Sequence, residues 1–474
     1  MVFSSLFFVY AFLPLNLFLY YIAKKTSTKN VIMLLFSLVF YSWNGPKYLV
    51  LLLTMTFIAW AGAMLIYKFP KARKFYLFVS VALFLLILGY FKYVGFFGDI
   101  FNYFSPKDIT LPNIVLPIGI SFYTFQLMSY VIDVYRRDVR VQKNYFTLLL
   151  YASLFHQCIA GPIVRYSDVE HDIMHRKFSY KEVKEGVKRF CLGLGKKAII
   201  ANSVAVIADK YLILDNIEAL SKLPALGIWL GALAFTFQIY FDFSAYSDMA
   251  IGMGLMTGFH YKENFEHPYI ARSVTEFWRR WHISLSTFFR DYVYIPLGGN
   301  RRGSLFINLL IVWFLTGMWH GASWNYILWG LYFFVFLMIE KAFMKKVLDK
   351  LPGVLSWAIT FIIIVIGWIL FKFENFDFMI TALKGMFMQN GNQLIDKQVI
   401  ISVKNNIFLL IFAAIASSNI LKLIYEKIKS FSNKNVLKRV GQPIYDAFVP
   451  WIILLLSTLA LIGNSYNPFL YFQF

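Results

Sequence analysis

Runs of about 20 apolar residues recur along this chain, and each is long enough to cross a bilayer as a helix. Of the 474 residues, 59% are apolar and 15% are charged, whereas about a quarter of the residues in soluble domains are charged. The 51 Phe, 30 Tyr and 12 Trp are too many aromatic residues for a disordered chain. The pattern therefore predicts an all-α polytopic membrane protein. The length of the runs argues against a transmembrane β-barrel, whose strands are short and alternating.

Twelve segments are predicted to span the membrane. They are residues 2–22, 31–43, 47–67, 75–97, 113–134, 192–214, 225–246, 304–319, 324–340, 354–373, 407–421 and 449–463. Segment 145–164 contains a histidine, a glycine and a proline, and we expect it to be re-entrant or interfacial. Several spans are shorter than about 20 residues. Such short helices suggest a locally thinned protein or half-spans that meet inside the membrane. Because irregular backbone at membrane depth is tolerated only around a cavity or inside protein, we expect a cavity or tunnel through the middle.

No internal repeat or linker divides the chain, so residues 1–474 are expected to form a single integral-membrane domain with an aromatic extracytoplasmic tail at 464–474. The 46 Lys and Arg against 25 Asp and Glu lie in short runs between the apolar segments. The positive-inside rule explains these runs without a nucleic-acid partner, although part of the excess could serve an anionic cofactor. Lys24 and Lys25 follow the first apolar segment, which is the reverse of a cleavable signal peptide. We expect both termini to be extracytoplasmic.

His320 is the leading catalytic candidate, because it lies between two apolar segments in Leu315–Asn325. Ionisable residues at membrane depth are costly and mark functional sites. Gly317 and Gly321 allow close approach of another helix or of a substrate. A neutral imidazole at this position could accept a proton from a hydroxyl nucleophile. The alternative is a histidine that is merely hydrogen-bonded inside a helix bundle.

A second candidate region, Glu276–Tyr292, mixes cations with aromatic residues and contains His282. Arginine suits bidentate recognition of phosphate, so an anionic, phosphate-bearing cofactor could bind here from the cytoplasm. The residues expected to hold it are Arg279, Arg280, Trp281, Arg290, Arg301 and Arg302. The alternative is that these cations only set the membrane topology.

Asp242 and Asp248 lie in an apolar stretch and need partners there. They could pair with nearby arginines, or they could relay protons in a transporter. No set of histidine and carboxylate residues has metal-ligand spacing, so no metal is expected. The absence of Walker A, GxSxG and GxGxxG motifs argues against a pump driven by ATP, a serine hydrolase and a dinucleotide site. Four other histidines lie in polar stretches and are expected to be solvated: His171, His175, His260 and His267.

The end of the chain, Asn467–Phe474, is rich in aromatic residues. Such residues can simply anchor a helix at the membrane interface. If the tail folds back into an outer cavity, however, the hydroxyl of Tyr471 could accept an acyl group.

These residues together resemble the membrane-bound O-acyltransferase (MBOAT) superfamily, in particular the bacterial branch of alginate and peptidoglycan O-acetylation. The resemblance runs over most of the chain. It includes Met1–Ser5, Pro117–Gln126, Ala160–Arg165, Tyr240–Gly252, Glu276–Arg302, Gly317–Trp324, Ile366–Phe371 and the aromatic tail. The long block Glu276–Arg302 and the Trp-His-Gly motif are its most specific parts.

The resemblance implies that His320 is the superfamily's membrane-embedded catalytic histidine and that His282 is a second, more cytoplasmic functional position. It implies a ring of about 11–12 tilted helices around a thin centre. The chain also resembles the D-alanyl-transfer member of teichoic acid modification. That relative typically works with a small partner whose aromatic tail bears an acyl-accepting tyrosine, and Tyr471 is the matching position in this chain.

The expected function is transfer of acetyl from cytosolic acetyl-CoA across the bacterial cytoplasmic membrane to an extracytoplasmic polysaccharide, such as alginate or peptidoglycan. The first acceptor could be Tyr471, a sugar hydroxyl or a residue of a partner. An SGNH or serine-hydrolase-type partner, periplasmic or membrane-anchored, is expected to complete the transfer. The alternatives are a D-alanyl transferase, a proton-coupled transporter and a structural scaffold.

Overall fold

In this computed structural model the chain is described over residues 1–43, 45–105, 109–112, 114–158, 161–431, 442–463 and 470. The side chains of 422, 425, 428–431 and 442–446 are outside the description. The described residues are helical or irregular, with no strand among them. They group into two compact units, residues 1–192 with 246–263 and residues 193–245 with 264–474. The expectation of a single domain stays a prediction.

Unit 1 holds the N-terminal helices. They are a π-helical turn (Phe8–Phe12), α1 (Leu13–Ile22), α2 (Thr26–Ser42), α3 (Pro46–Lys68), a 3₁₀ turn (Pro70–Ala72), α4 (Arg73–Phe104), α5 (Ile120–Arg136), α6 (Tyr145–Ser153), α7 (Tyr166–His175) and most of α8 (Tyr180–Gly195). The last part of α11 (Ala225–Thr257) also belongs to this unit.

Unit 2 holds the remaining helices. They are a π-helical turn (Lys196–Ala201), α9 (Asn202–Tyr211), α10 (Ile217–Lys222), the first part of α11, a 3₁₀ turn (Pro268–Ile270), α12 (Val274–Arg280), α13 (Ile283–Phe289), a π-helical turn (Arg290–Tyr294), α14 (Leu305–His320), α15 (Trp324–Ile339), a π-helical turn (Glu340–Met344), α16 (Lys345–Leu348), α17 (Gly353–Lys372), α18 (Phe376–Met386), α19 (Lys397–Ala416), α20 (Ile420–Phe431) and α21 (Gln442–Gly463).

Seven helices within the described residues are long and apolar enough to cross a membrane. They are Pro46–Lys68, Pro70–Phe104, Tyr180–Tyr211, Ala225–Thr257, Trp324–Leu348, Gly353–Lys372 and Lys397–Ala416. Three apolar helices are shorter, at Phe8–Ile22, Leu305–His320 and Ala447–Gly463. The chain is therefore a multi-pass, all-helical membrane protein, as predicted, and the span count of twelve stays a prediction.

Several helix bounds differ from those of the predicted spans, and in one case the backbone shows the reason. The span expected over 113–134 becomes helical only at Ile120, because Gly119 precedes it with φ +78° and Pro117 lies just upstream. A left-handed residue cannot continue a right-handed helix. In the segment expected to be re-entrant, α6 ends at Ser153 and His156 is fully buried beyond it, with Nδ1 3.3 Å from the Tyr261 hydroxyl.

Helices α14 and α15 form a tight hairpin whose close contact depends on glycine. A Cβ on Gly317 would clash with the carbonyl oxygen of Tyr326 in α15, and a Cβ on Gly330 would clash with that of Trp313 in α14. The two backbones therefore touch, and the end of α14, where His320 lies, is fixed against α15. Of the two uses predicted for Gly317, the structure shows the approach of another helix.

A buried carboxylate fixes the start of α12. Glu340, directly after α15, accepts hydrogen bonds from the backbone N–H groups of Val274 and Thr275, and also from the Thr275 hydroxyl at 2.7 Å. A negative charge at a helix N-terminus is favourable, because the first N–H groups have no partner within the helix. Through this contact the end of α15 fixes the position of α12 and of the chain that follows it.

Tryptophan and phenylalanine rings fill the space around α12 within unit 2. The Trp278 ring lies edge-on to the rings of Trp313, Trp329 and Phe333, at centroid distances of 4.8, 5.5 and 4.9 Å. Such edge-to-face pairs contribute about 0.5–1.5 kcal/mol each beyond simple burial. The packing gives the site described below a rigid, mostly apolar surround.

Unit 1 carries a network of ion pairs. Arg189 pairs with Asp248 at 2.9 Å and with Glu263, so the predicted arginine partner of Asp248 is confirmed. His260 lies 3.2 Å from Asp172 and 3.1 Å from Glu182, with its side chain half exposed. Partial burial lowers the pKa of His260, but its hydrogen bonds with the two carboxylates outweigh this and raise the pKa above its usual value.

Candidate active site

His282 lies at the turn between α12 and α13 and is only 1% exposed. Its φ is +43°, which is uncommon for a residue other than glycine. The imidazole packs against the rings of Phe243 and Phe265, at centroid distances of 4.7 and 6.4 Å. Strained backbone conformations of this kind cluster at functional sites.

The polar contacts of His282 fix which ring nitrogen carries a hydrogen. Nδ1 lies 3.3 Å from Asn264 Oδ1, which also accepts hydrogen bonds from the backbone N–H and the hydroxyl of Ser284, at 3.1 and 2.9 Å. Because an amide oxygen can only accept, Nδ1 is the donor. Burial lowers the pKa of His282 to about 3, so the ring is neutral at physiological pH.

A neutral ring protonated on Nδ1 keeps a lone pair on Nε2. Within the described part of the chain, Nε2 of His282 is buried and has no hydrogen-bond partner. A buried acceptor without a partner costs about 1–3 kcal/mol. The atom is therefore available to a bound group that can donate a hydrogen.

His320 ends α14 and is 8% exposed. Its ring packs against Trp329 and Phe371, at centroid distances of 4.9 and 5.2 Å. It also packs against Trp319 at 4.8 Å, and the same indole lies 5.7 Å from the ring of His282. The structure thus brings the two predicted histidines together around one tryptophan, although 38 residues separate them in the chain.

A buried ion pair lies in the same unit. Lys197 Nζ is 2.6 Å from Asp242 Oδ1, and the two side chains are 4% and 2% exposed. The other carboxylate oxygen accepts a hydrogen bond of 2.8 Å from the backbone N–H of Leu470, which is itself buried. Asp242 therefore pairs with a lysine and not with the arginine that the sequence suggested, and it also binds the C-terminal tail.

Leu470 is the one described residue of the tail segment 464–474. Its side chain is buried within unit 2. Tyr471, the predicted acyl acceptor, lies outside the described residues. It is the next residue in the chain.

The predicted donor-binding residues differ in their surroundings. Arg280 pairs with Glu276 at 2.9 Å, and Arg290 pairs with Asp291 at 2.6 Å. Trp281 is buried against Trp368, at a centroid distance of 4.9 Å. The remaining three are exposed and form no ion pair within the described residues: Arg279, Arg301 and Arg302. These three can bind an anion without first losing a carboxylate partner.

Two residues of the site were missed by sequence reasoning. Lys197 carried a usable signal, because a lysine inside a predicted span is costly and needs a partner. Asn264 carried none, since an asparagine in a polar stretch is ordinary and its contact with His282 exists only in the folded chain.

Comparison with known proteins decides the family. Residues 138–379 match MBOAT, the membrane-bound O-acyltransferase family. The chain belongs to this family. Both histidines and the hairpin α14–α15 lie inside the matched region.

The chain is also similar to three curated proteins, over its whole length or part of it. It is 38% identical to the probable alginate O-acetylase AlgI of Pseudomonas aeruginosa, with 100% of each chain covered. It is 35% identical to the peptidoglycan O-acetyltransferase of Helicobacter pylori, over 83% of this chain and 81% of that protein. A more distant similarity, 28% identity over 56% of this chain and 70% of that protein, links it to the teichoic acid D-alanyltransferase of Bacillus subtilis.

Proposed function

We propose that this MBOAT protein transfers acetyl groups from cytosolic acetyl-CoA across the bacterial cytoplasmic membrane to hydroxyl groups of an extracytoplasmic polysaccharide. The observation that carries the proposal is the convergence of His282 and His320 on the Trp319 ring. The similarity to enzymes named for alginate and peptidoglycan O-acetylation supports acetyl as the group transferred and a polysaccharide as the acceptor.

In this proposal His320 is the general base. It takes the proton from an acceptor hydroxyl, whose oxygen then bonds to the thioester carbonyl carbon while the bond from that carbon to sulfur breaks. The CoA thiolate leaves and takes up a proton, so the products are an acetyl ester and free CoA. The rings of Trp319, Trp329 and Phe371 surround His320, and a general base acts from its neutral form.

His282 acts in binding and orientation. With Nδ1–H bonded to Asn264, its Nε2 is fixed as an acceptor. An acyl donor that carries amide N–H groups, as the pantetheine arm of CoA does, offers a matching hydrogen. Three exposed arginines of the block Glu276–Arg302 would hold the nucleotide phosphates, for which arginine is well suited. They are Arg279, Arg301 and Arg302.

The first acceptor in this proposal is Tyr471. The hydrogen bond from Leu470 to Asp242 holds that residue in unit 2, which supports a role for the neighbouring tyrosine inside the protein. An acetyl-tyrosine ester would then pass its acetyl group to a serine-hydrolase-type partner of the SGNH class, outside the cytoplasm. That partner would esterify the polymer.

The experiment uses membrane vesicles of inside-out orientation and radiolabelled acetyl-CoA. Label on the wild-type chain is expected, with loss in His320→Ala and in Tyr471→Phe. The matched controls are His171→Ala, whose imidazole is 82% exposed, and Tyr466→Phe in the same tail. Both controls should keep the label.

Other outcomes would change the proposal. Normal labelling of His320→Ala at wild-type protein level would remove the base from the mechanism. Label lost in His320→Ala but kept in Tyr471→Phe would place the first acceptor elsewhere. Labelling by D-alanyl carrier protein in place of acetyl-CoA would favour D-alanyl transfer, and solute flux in liposomes without a donor would favour a transporter.

A further inference from the structure

A basic cavity in unit 1 is lined by none of the residues assigned above. It has a volume of about 570 Å³ and lies where the end of α3, the start of α4 and the segment after α5 meet. Its lining residues are Ile66, Tyr67, Pro70, Arg73, Val134, Tyr135, Arg137, Val139, Arg140, Val141 and Lys143. The volume falls within the range of about 300–1,000 Å³ that is usual for small-molecule sites.

The charge of this cavity has one sign. Four of the lining residues are cations, Arg73, Arg137, Arg140 and Lys143, and no lining residue is acidic. Within the described part of the chain none of the four forms an ion pair, whereas Arg189 in the same unit pairs with two carboxylates. Four cations with no carboxylate around a shared space attract an anion.

The walls of the cavity are apolar and aromatic. Val134 and Val139, both buried, are among the lining residues. Arg73 lies over the ring of Tyr135 and Lys143 over that of Tyr67, at 5.0 and 6.0 Å from the ring centroids. A ligand suited to these walls has an anionic group joined to an apolar part.

The cavity lies at the end of membrane-spanning helices. Its lining residues between Ile66 and Arg73 lie at the end of one candidate span, Pro46–Lys68, and at the start of the next, Pro70–Phe104. The basic runs that supply its cations are on the cytoplasmic side by the positive-inside rule. Basic pockets between helices on that side are typical binding sites for anionic lipid headgroups.

The backbone holds one of the cations in an unusual conformation. Arg137 follows α5 with φ +68°, a left-handed conformation that costs a residue with a side chain roughly 1–2 kcal/mol. A glycine would adopt it freely. An arginine that lines the cavity therefore stands at a position where the backbone would favour glycine, which fits a binding role.

We propose that this cavity binds the phosphate headgroup of an anionic phospholipid from the cytoplasmic leaflet. Arg137 and Arg140 contact the phosphate, Arg73 and Lys143 complete its neutralisation, and the buried valines line the path of the glycerol and the first chain carbons. This inference is independent of the acetyl-transfer proposal, because none of these residues belongs to the proposed active site.

The test is native mass spectrometry of the purified full-length protein with added phosphatidylglycerol or phosphatidylcholine. We expect the wild type to prefer phosphatidylglycerol by about tenfold or more, since each cation near a membrane surface contributes about 1 kcal/mol. Arg137→Gln/Arg140→Gln should lose about 10- to 30-fold of that affinity by the same principle. The matched control is Lys24→Gln/Lys25→Gln, which removes two exposed cations of the same unit outside the cavity and should bind as the wild type does.

The proposal fails if the control loses as much affinity as the cavity variant, or if phosphatidylcholine binds as well as phosphatidylglycerol. It also fails if glycerol 1-phosphate at millimolar concentration displaces the lipid, because the ligand would then be a soluble phosphate. Thermal unfolding without lipid shows whether the double variant is folded. If it is not, the single change Arg140→Gln, at an exposed side chain, provides the same comparison with an expected loss of about fivefold.

Discussion

The buried pair of Lys197 and Asp242 allows a quantitative test of how the tail is held. Both side chains are almost completely buried and their charged atoms are 2.6 Å apart. Removing one member of such a pair leaves the other charge desolvated without its counter-ion, at a cost of about 3–5 kcal/mol. We therefore expect Asp242→Asn to lower the free energy of unfolding by about that amount.

Two double variants separate the ion pair from the tail contact. Lys197→Met/Asp242→Asn removes both charges but keeps an amide oxygen for the Leu470 N–H, so its stability should return to within about 1 kcal/mol of the wild type. Lys197→Met/Asp242→Leu also removes the acceptor. It leaves a buried N–H unpaired, at a further cost of about 1–3 kcal/mol, and it should release the tail to added carboxypeptidase.

The assay is reversible unfolding in mixed detergent micelles, followed by tryptophan fluorescence. The matched control is the pair Lys372–Asp209 in the same unit, with a distance of 3.0 Å and side chains that are 9% and 39% exposed. Because one of its members is exposed to solvent, Asp209→Asn should cost less than about 1 kcal/mol. Equal costs for Asp242→Asn and Asp209→Asn would refute the reasoning, as would equal tail digestion in the two double variants.

Three further predictions concern other parts of the molecule. Gly317→Ala should destabilise the protein by about 1–3 kcal/mol, because the new Cβ meets a backbone carbonyl of α15. The measurement is thermal unfolding, with Gly89→Ala as the control, because nothing lies within 4 Å of a Cβ at Gly89. Asn264→Ala should reduce acetyl transfer by about tenfold or more, because the Nδ1–H of His282 loses its buried acceptor. If the Asn264→Ala variant transferred acetyl at the wild-type rate, this contact would not orient the ring. Because its pKa is raised in the folded state, His260 contributes stability that is fully present below about pH 6.5 and is lost as pH rises through the folded pKa. The difference in melting temperature between wild type and His260→Gln should therefore be larger at pH 5.5 than at pH 9, and a difference that grows with pH would contradict this.

Sequence reasoning succeeded where the signal was local. Apolar runs predicted the spans because a helix in lipid must satisfy its backbone internally and present apolar side chains. A histidine between two such runs is costly, which is why the sequence singles out His320; its catalytic role stays a prediction. Gly317 could be linked to close packing because only glycine lets two helix backbones touch.

Pairings between distant positions could not be predicted in the same way. Asp242 and Lys197 are 45 residues apart. From the sequence alone, Asp242 or Asp248 could have paired with any basic residue nearby. The tautomer of His282 depends on Asn264, eighteen residues upstream, whose polarity alone suggests a solvated turn. Hydrophobic periodicity shows which face of a helix is buried, but it does not show which buried polar groups meet.

The contact between Leu470 and Asp242 also affects how the rate of the proposed Tyr471 acylation would depend on protein concentration. A tail that belongs to a separate protein first has to diffuse through the membrane and bind to the enzyme. The rate of that step depends on the concentration of the separate protein. In this chain, residue 470 is covalently attached and hydrogen-bonded in unit 2, and a tethered group has an effective concentration on the order of millimolar. In the proposed reaction through Tyr471, delivery of the acceptor is therefore independent of expression level, and regulation would act on the donor or on the final acceptor.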